Sequence, residues 1–202
     1  MIKLKIGIDI DGTITKASIV SDVIKHSYRE DFKYEDIVEY DLRKILGISQ
    51  EEVEEIFNLH EKDLITEPIL NDNALEVIKG WSAKGYEIII ITARNKIQES
   101  KTKVWLEGLG MPYNKLYVLG GYDKTGVVES EGLDIFIEDR RETILSVEDK
   151  VPETINVLID TPYNQGAIGK QSKRLFNWYE IEDYVSEVLC EEDTREKQIS
   201  GW

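Results

Sequence analysis

The sequence predicts an α/β fold: a doubly wound parallel sheet of five strands, with a small helical insertion behind the first strand. Five short apolar runs are spaced through the chain, at 4–10, 87–91, 116–119, 133–137 and 155–159. Most are separated by stretches with helical periodicity, the alternation that right-handed crossovers and a parallel sheet require. The spacing between the first two runs is anomalous. Roughly 75 residues separate Asp11 from Glu87, where a crossover needs about a dozen or somewhat more.

The elements can be justified in order. The run at 4–10 opens the sheet, and the surplus behind it is predicted to be helical. Ile19, Val20, Val23 and Ile24 mark a first helix there, and Ile37, Val38, Leu42, Ile45 and Leu46 continue the pattern. A third helix opens on the capping box Ser49-x-x-Glu52 and carries Val53, Ile56 and Phe57. The crossover helix proper is predicted at 72–84, with Ala74, Val77, Ile78 and Trp81 on one face and Gly85 as its stop. The second strand holds Ile88 to Ile91 without interruption, a composition suited to burial on both faces. A helix over 95–109 follows, with Ile97, Lys101, Val104 and Trp105 as its repeating positions and Gly110 behind it. The expected division is a Rossmann-like core over 1–15 and 72–190, a cap over 16–71 and a polar tail over 191–202. In such sheets ligands bind beyond the carboxyl ends of the strands, where the cap would sit.

Composition narrows the partners. The chain has 202 residues, 41% of them hydrophobic, which is ordinary for a globular protein. Forty acidic against 25 basic residues give a formal charge of −15, a surface that repels nucleic-acid polymers. A small phosphorylated substrate stays admissible, because a bound cation reverses the local field. No apolar run approaches the ~20 residues that span a bilayer, and the N-terminal run is broken by Asp9 too soon for a secretory signal. The single cysteine, Cys190, excludes an internal disulfide framework. The cytoplasm is the expected compartment, with no membrane partner. The sequence assigns no oligomeric state.

The chemistry gathers at four strand ends. The first strand ends in Asp9-Ile10-Asp11-Gly12-Thr13; residues two apart in an extended chain face the same way, so Asp9 and Asp11 share a surface. Two such carboxylates repel unless a hard cation such as Mg²⁺ relieves them. The second strand ends in Thr92-Ala93-Arg94, a hydroxyl and free backbone N–H groups fit to hold phosphate oxygens. Lys124 follows the third strand and can neutralise a phosphate as a point charge. Glu138-Asp139 ends the fourth and supplies further cation ligands. Each has a plainer reading, Thr92 and the acidic pair as helix caps, Lys124 as a surface residue. Together they form the parts for metal-assisted phosphoryl transfer.

These four stations resemble, in order and position, the motifs of the haloacid dehalogenase-like phosphohydrolases, over 1–15 and about 72–160. The resemblance implies that Asp9 is the nucleophile, Asp11 the general acid and base, Thr92 a phosphoryl ligand and Lys124 its electrostatic partner. It implies a Mg²⁺ site of Asp9, the backbone carbonyl of Asp11, and Glu138 with Asp139, of which Asp139 binds directly and Glu138 through water. The substrate-binding set is then Asp11, Thr13, Thr92, Ala93, Arg94 and Lys124. More narrowly, 123–128, 133–140 and 158–164 resemble the 5′(3′)-deoxyribonucleotidases and their bacterial relatives, with Glu138 where an aspartate is more usual. A nucleoside monophosphate is the favoured substrate. A sugar phosphate or other small phosphometabolite is the alternative, and a non-catalytic phosphometabolite-binding protein is a third possibility.

In the cap, Tyr28, Phe32, Tyr34, Tyr40 and Phe57 are either base-stacking residues or cap core. His26 and His60 are expected at the surface or in the cap core. Cys190 is expected as buried packing, and Lys170, Lys173 and Arg174 as a solvated helix face.

Overall fold

The computed structural model describes residues 3–188. Six strands form one sheet: β1 (Lys5–Ile8), β2 (Glu87–Thr92), β3 (Lys115–Val118), β4 (Ile135–Glu138), β5 (Ile155–Ile159) and β6 (Ser172–Leu175), in the order β3-β2-β1-β4-β5-β6. Every pairing is parallel. The expected sheet of five strands is thus one short. The sixth has no apolar run, because at an edge only Leu175 is buried. The same strand replaces the helix face expected around Lys173 and Arg174. Arg174 is half-buried: it donates to Asp160 at 2.9 Å and to Asn164 Oδ1 at 2.6 Å.

The helices are α1 (Ile19–Ser27), α2 (Leu42–Leu46), α3 (Gln50–Leu59), α4 (Ala74–Ala83), α5 (Glu99–Gly108), α6 (Thr125–Glu131) and α7 (Arg141–Lys150). A last helix runs over 178–188. The four isoleucines of β2 explain why the sheet is covered twice. Ile88 and Ile90 join one apolar cluster with Trp81, Trp105 and Trp178, while Ile89 and Ile91 join another with Phe136, Ile144 and Val147. A period of two thus feeds two cores from one strand. Cys190 and the polar tail lie outside the described residues.

The helical cap follows β1, as expected, and has a small core of its own in Ile24, Phe32, Ile37 and Leu42. Its two connections run side by side. Thr15 pairs with Leu70 as an antiparallel bridge, Lys16 N donates to Ile69 O at 2.8 Å, and Asn71 N donates to Ile14 O at 2.8 Å. The Asn71 side chain donates to Thr13 O at 2.8 Å and Thr15 O at 3.1 Å, and Trp178 Nε1 donates to Thr13 O at 3.1 Å.

The predicted buried face of the helix after β2 is corrected. Ile97 and Val104 are exposed; Trp105 is buried as expected, with Thr102 and Leu106 beside it in place of the other positions. The helix begins only at Glu99, after a separate turn at Lys96–Gln98; counting from Asn95 therefore rotated the stripe.

Candidate active site

The chain leaves β1 at Ile8, two residues earlier than the apolar run ends, and Asp9 continues it in extended backbone. Asp9 N donates to Ile137 O at 3.0 Å, so β4 still holds the backbone there. A tight turn over Ile10–Ile14 follows, with Gly12 at φ +88°. Gly12 is required twice over. Its φ is one that residues with a Cβ adopt only at a cost, and a Cβ would land on Asp139 Oδ2 and within 2.7 Å of Tyr163 Oη. This close approach brings the β1 turn against the end of β4.

Four charged groups meet at the base of the site. Lys124 Nζ donates to Asp9 Oδ1 and, at 2.6 Å, to Glu138 Oε2; all three side chains are buried. Carboxylate oxygens of Asp9, Glu138 and Asp139 lie within 4.8 Å of one another. Burial raises the Asp9 carboxyl to about 7; Lys124 opposes this, and the charges of Glu138 and Asp11 add to it. Asp139 is raised well above the carboxylate range by burial, then by the charges of Glu138 and Asp9. Burial alone would lower Lys124, but the charges of Asp9 and Glu138 outweigh it, and the lysine holds its proton more tightly than usual. Three carboxylates against one ammonium leave two negative charges in a buried place. A divalent, oxygen-preferring cation cancels that excess, so this donor set fits Mg²⁺.

Glu138 and Asp139 are held differently. Glu138 uses both oxygens, accepting from Lys124 Nζ and, at 3.0 Å, from Arg140 N. Asp139 Oδ2 accepts from the Tyr163 hydroxyl, and Asn164 Nδ2 donates to Asp139 O at 2.6 Å and Ile159 O at 2.7 Å. Tyr163 and Asn164 stand in the 158–164 stretch that carries the nucleotidase resemblance, but their service to Asp139 is visible only in three dimensions.

Asp9 and Asp11 line one small pocket of about 30 Å³, with Ala93 and Lys124 beside them. Their carboxylates have different partners. Asp11 is gripped by Arg94, Nε to Oδ2 at 2.8 Å and Nη2 to Oδ1 at 2.7 Å. Arg94 also donates from Nη1 to Ile65 O and Thr102 Oγ1, and from Nη2 to Leu64 O, each at 3.2 Å. A guanidinium has five N–H donors, and every one is engaged. Arg94 was expected among the substrate ligands; here it ties Asp11 to the backbone of the cap. Thr92 is fully buried, and its Oγ1 accepts from Arg94 N at 3.2 Å. Thr13 is fully buried too, with its Oγ1 unpartnered.

The rim is aromatic. Tyr40 from the cap meets Tyr122 edge-on, with centroids 5.4 Å apart, and Tyr163 at 5.8 Å. The Arg140 guanidinium lies over both Tyr122, at 4.3 Å, and Tyr40, at 5.0 Å. Of the five cap aromatics singled out, Tyr40 alone lines this pocket. Phe32, Tyr34 and Phe57 belong to the cap core, and Tyr28 is exposed with its hydroxyl on Leu46 O at 3.3 Å. His26 is exposed and His60 is half-buried against Ser27, both away from the site. Sequence reasoning missed Tyr122 and Arg140, although they flank Lys124 and the acidic pair directly.

Comparison with known proteins agrees with this geometry. A protein named "Putative nucleotidase" from Halalkalibacterium halodurans is 30% identical over 185 residues, covering 92% of this chain and 94% of its own. One named "Nucleotidase" from Clostridium acetobutylicum is 30% identical over 189 residues, 94% of this chain and 97% of its own. A solved haloacid dehalogenase-like family protein from Streptococcus pneumoniae superposes with a TM-score of 0.65 at 15% identity, covering 91% of this chain and 98% of that one. The family model "PITM 1-3, LNS2 domain" matches residues 52–130, under half of the chain. The near-complete relatives at 30% identity show that the chain belongs to the family of these nucleotidase-named proteins, and the superposition shows that its fold is that of a haloacid dehalogenase-like protein.

Proposed function

We propose that the protein is a magnesium-dependent phosphomonoester hydrolase that works through an aspartyl phosphate on Asp9, with a nucleoside monophosphate as its favoured substrate. The observation that carries this is the buried group of Asp9, Lys124, Glu138 and Asp139 at adjoining strand ends, with Asp11 at the same pocket. The nucleotidase names of the full-length relatives support the substrate class. The absence of a bilayer-spanning helix among the described residues and the single cysteine support a cytoplasmic setting.

Asp9, Asp139, the Asp11 carbonyl and, through water, Glu138 would hold the Mg²⁺. Bound there, the ion would offset the buried negative charge and that of the phosphoryl group. Glu138 suits the outer place because both its oxygens already accept hydrogen bonds. In the first step an Asp9 oxygen attacks phosphorus, the ester P–O bond breaks, and the Asp11 proton passes to the leaving oxygen. In the second, a water attacks the same phosphorus while Asp11 takes its proton, and the Asp9–phosphorus bond breaks to release phosphate. Lys124 and the Thr92 hydroxyl face the phosphoryl oxygens throughout. For Asp11 to donate, at least one of its oxygens must leave the Arg94 fork. The ~30 Å³ pocket admits little more than one water, so the cap must lift to admit a nucleotide and close to exclude water.

The test is inorganic phosphate release from ribo- and deoxynucleoside 5′- and 3′-monophosphates beside sugar phosphates, with Mg²⁺ and with EDTA. Asp9→Asn is expected to lower kcat by about 10⁴-fold or more without unfolding the chain. Normal turnover in that variant would remove Asp9 as the nucleophile. A panel peaking on sugar phosphates would keep the mechanism and discard the nucleotide.

A further inference from the structure

Arg140 opens α7 with its backbone fixed by Glu138. Its guanidinium is stacked on two tyrosine rings and has no hydrogen-bonded work there. Nε is buried without a partner, and the nearest carboxylate, Glu142, stands at 3.8 Å, beyond a hydrogen bond. Thr143, in the first turn of the same helix, is 5% exposed, and its Oγ1 is likewise buried and unpartnered. Both residues line the pocket that holds Asp9 and Lys124. Two buried polar atoms without a protein partner are costly to keep. Such atoms mark a place that a ligand completes.

Charge points to the kind of ligand. With a divalent cation in place, Asp9, Glu138, Asp139 and Lys124 come to neutrality, and every donor of Arg94 is already engaged on Asp11, Thr102 and the cap carbonyls. An arriving phosphate dianion then finds, among the described pocket residues, a cation with an unpartnered donor in Arg140, whose ion pair with the exposed Glu142 is long at 3.8 Å. We propose that Arg140, with the Thr143 hydroxyl beside it, is an anion-binding group for the phosphate dianion of the substrate, and afterwards of the product. The stack on Tyr40 and Tyr122 holds the planar fork ready, and because Tyr40 belongs to the cap, anion capture and cap closure meet at one side chain. This rests on the phosphohydrolase function proposed above.

The test uses the full chain with Mg²⁺ and inorganic phosphate as the probe, by isothermal titration, alongside steady-state kinetics. Arg140→Gln is expected to weaken phosphate binding about tenfold or more and to raise KM by a similar factor, with a smaller change in kcat. Arg140→Lys keeps the charge without the fork and is expected to recover part of the loss. Thr143→Val is expected to cost about threefold. A folded Arg140→Gln protein with phosphate affinity and KM within twofold of wild type would overturn the inference and leave the hydrolase standing. Equal losses in the Gln and Lys variants would also overturn it, because the stack rather than the charge would then matter. Wild type that neither binds phosphate nor releases it would overturn the hydrolase and this inference together.

Discussion

Two arginines serve the same pocket, Arg140 by lining it and Arg94 by gripping Asp11 from behind, and they are used in opposite ways. Arg94 has every donor engaged, two on Asp11, two on cap carbonyls and one on Thr102, and it packs 5.2 Å from the Trp105 ring. Arg140 is stacked on two rings and its buried Nε is unpaired. One is a strut, the other a vacant hand. The difference teaches that proximity to a phosphoryl site does not make an arginine a phosphate ligand; what decides is whether the fold has already claimed its donors. It also places the cap under two kinds of control, hydrogen bonds to its backbone on the Arg94 side and ring contacts on the Arg140 side.

The comparison breaks most visibly at Arg94. Arg94→Met leaves a half-exposed Asp11 and two cap carbonyls without donors, and is expected to cost about 2–3 kcal/mol of stability, read by urea denaturation. An Arg94→Met protein of wild-type stability would mean that the cap is held elsewhere.

A second, smaller effect belongs to the base of the site between the arginines. Folded Asp9 binds its proton with a pKa of about 7 against an ordinary 3.8. Between those values the native state holds a proton that the unfolded chain has lost, so stability falls as pH rises through the window. In EDTA, Tm is therefore expected to drop from pH 5 to pH 7.5. Added Mg²⁺ is expected to raise Tm more at pH 7.5 than at pH 5, since at low pH a proton already occupies its place. A Mg²⁺ effect on Tm that ignores pH would detach Asp9 from the cation.

The smallest effect sharpens the contrast. Arg140→Gln gives up ring contacts and no side-chain hydrogen bond, so its stability is expected to stay within about 1–2 kcal/mol of wild type, below the loss at Arg94. A larger fall, in the same urea titration, would make Arg140 a second strut.

How far the sequence reveals this molecule depends on the range over which each feature is decided. The strands of the interior were legible because Ile88–Ile91 must satisfy two cores at once; Asp9 and Glu138-Asp139 were legible because each stands at the end of such a strand, and Lys124 because it opens the helix after the edge strand β3. β6 was hidden because an edge strand with one buried side chain leaves no apolar run. The true face of α5 was hidden because one turn of different pitch at Lys96–Gln98 shifts the count. Arg94 was placed at the correct strand end, but its ties to Asp11 and to the cap were not foreseen. Two of its acceptors are main-chain oxygens of Leu64 and Ile65, some 30 residues away, and backbone carbonyls leave no mark in a sequence. Arg140 needed Tyr40 and Tyr122 together, from separate elements, before its idleness could be seen.

The bridge between Thr15 and Leu70 has a consequence for the history of such proteins. Where an insertion's two ends are pinned side by side, the remaining core sees the same junction however long the excursion between them. The entropy of closing that excursion grows only with the logarithm of its length. An ancestor could therefore lengthen, shorten or exchange the segment beyond this junction while inheriting Asp9, Lys124 and Asp139 unchanged. Chemistry and substrate choice would then drift at separate rates within one gene.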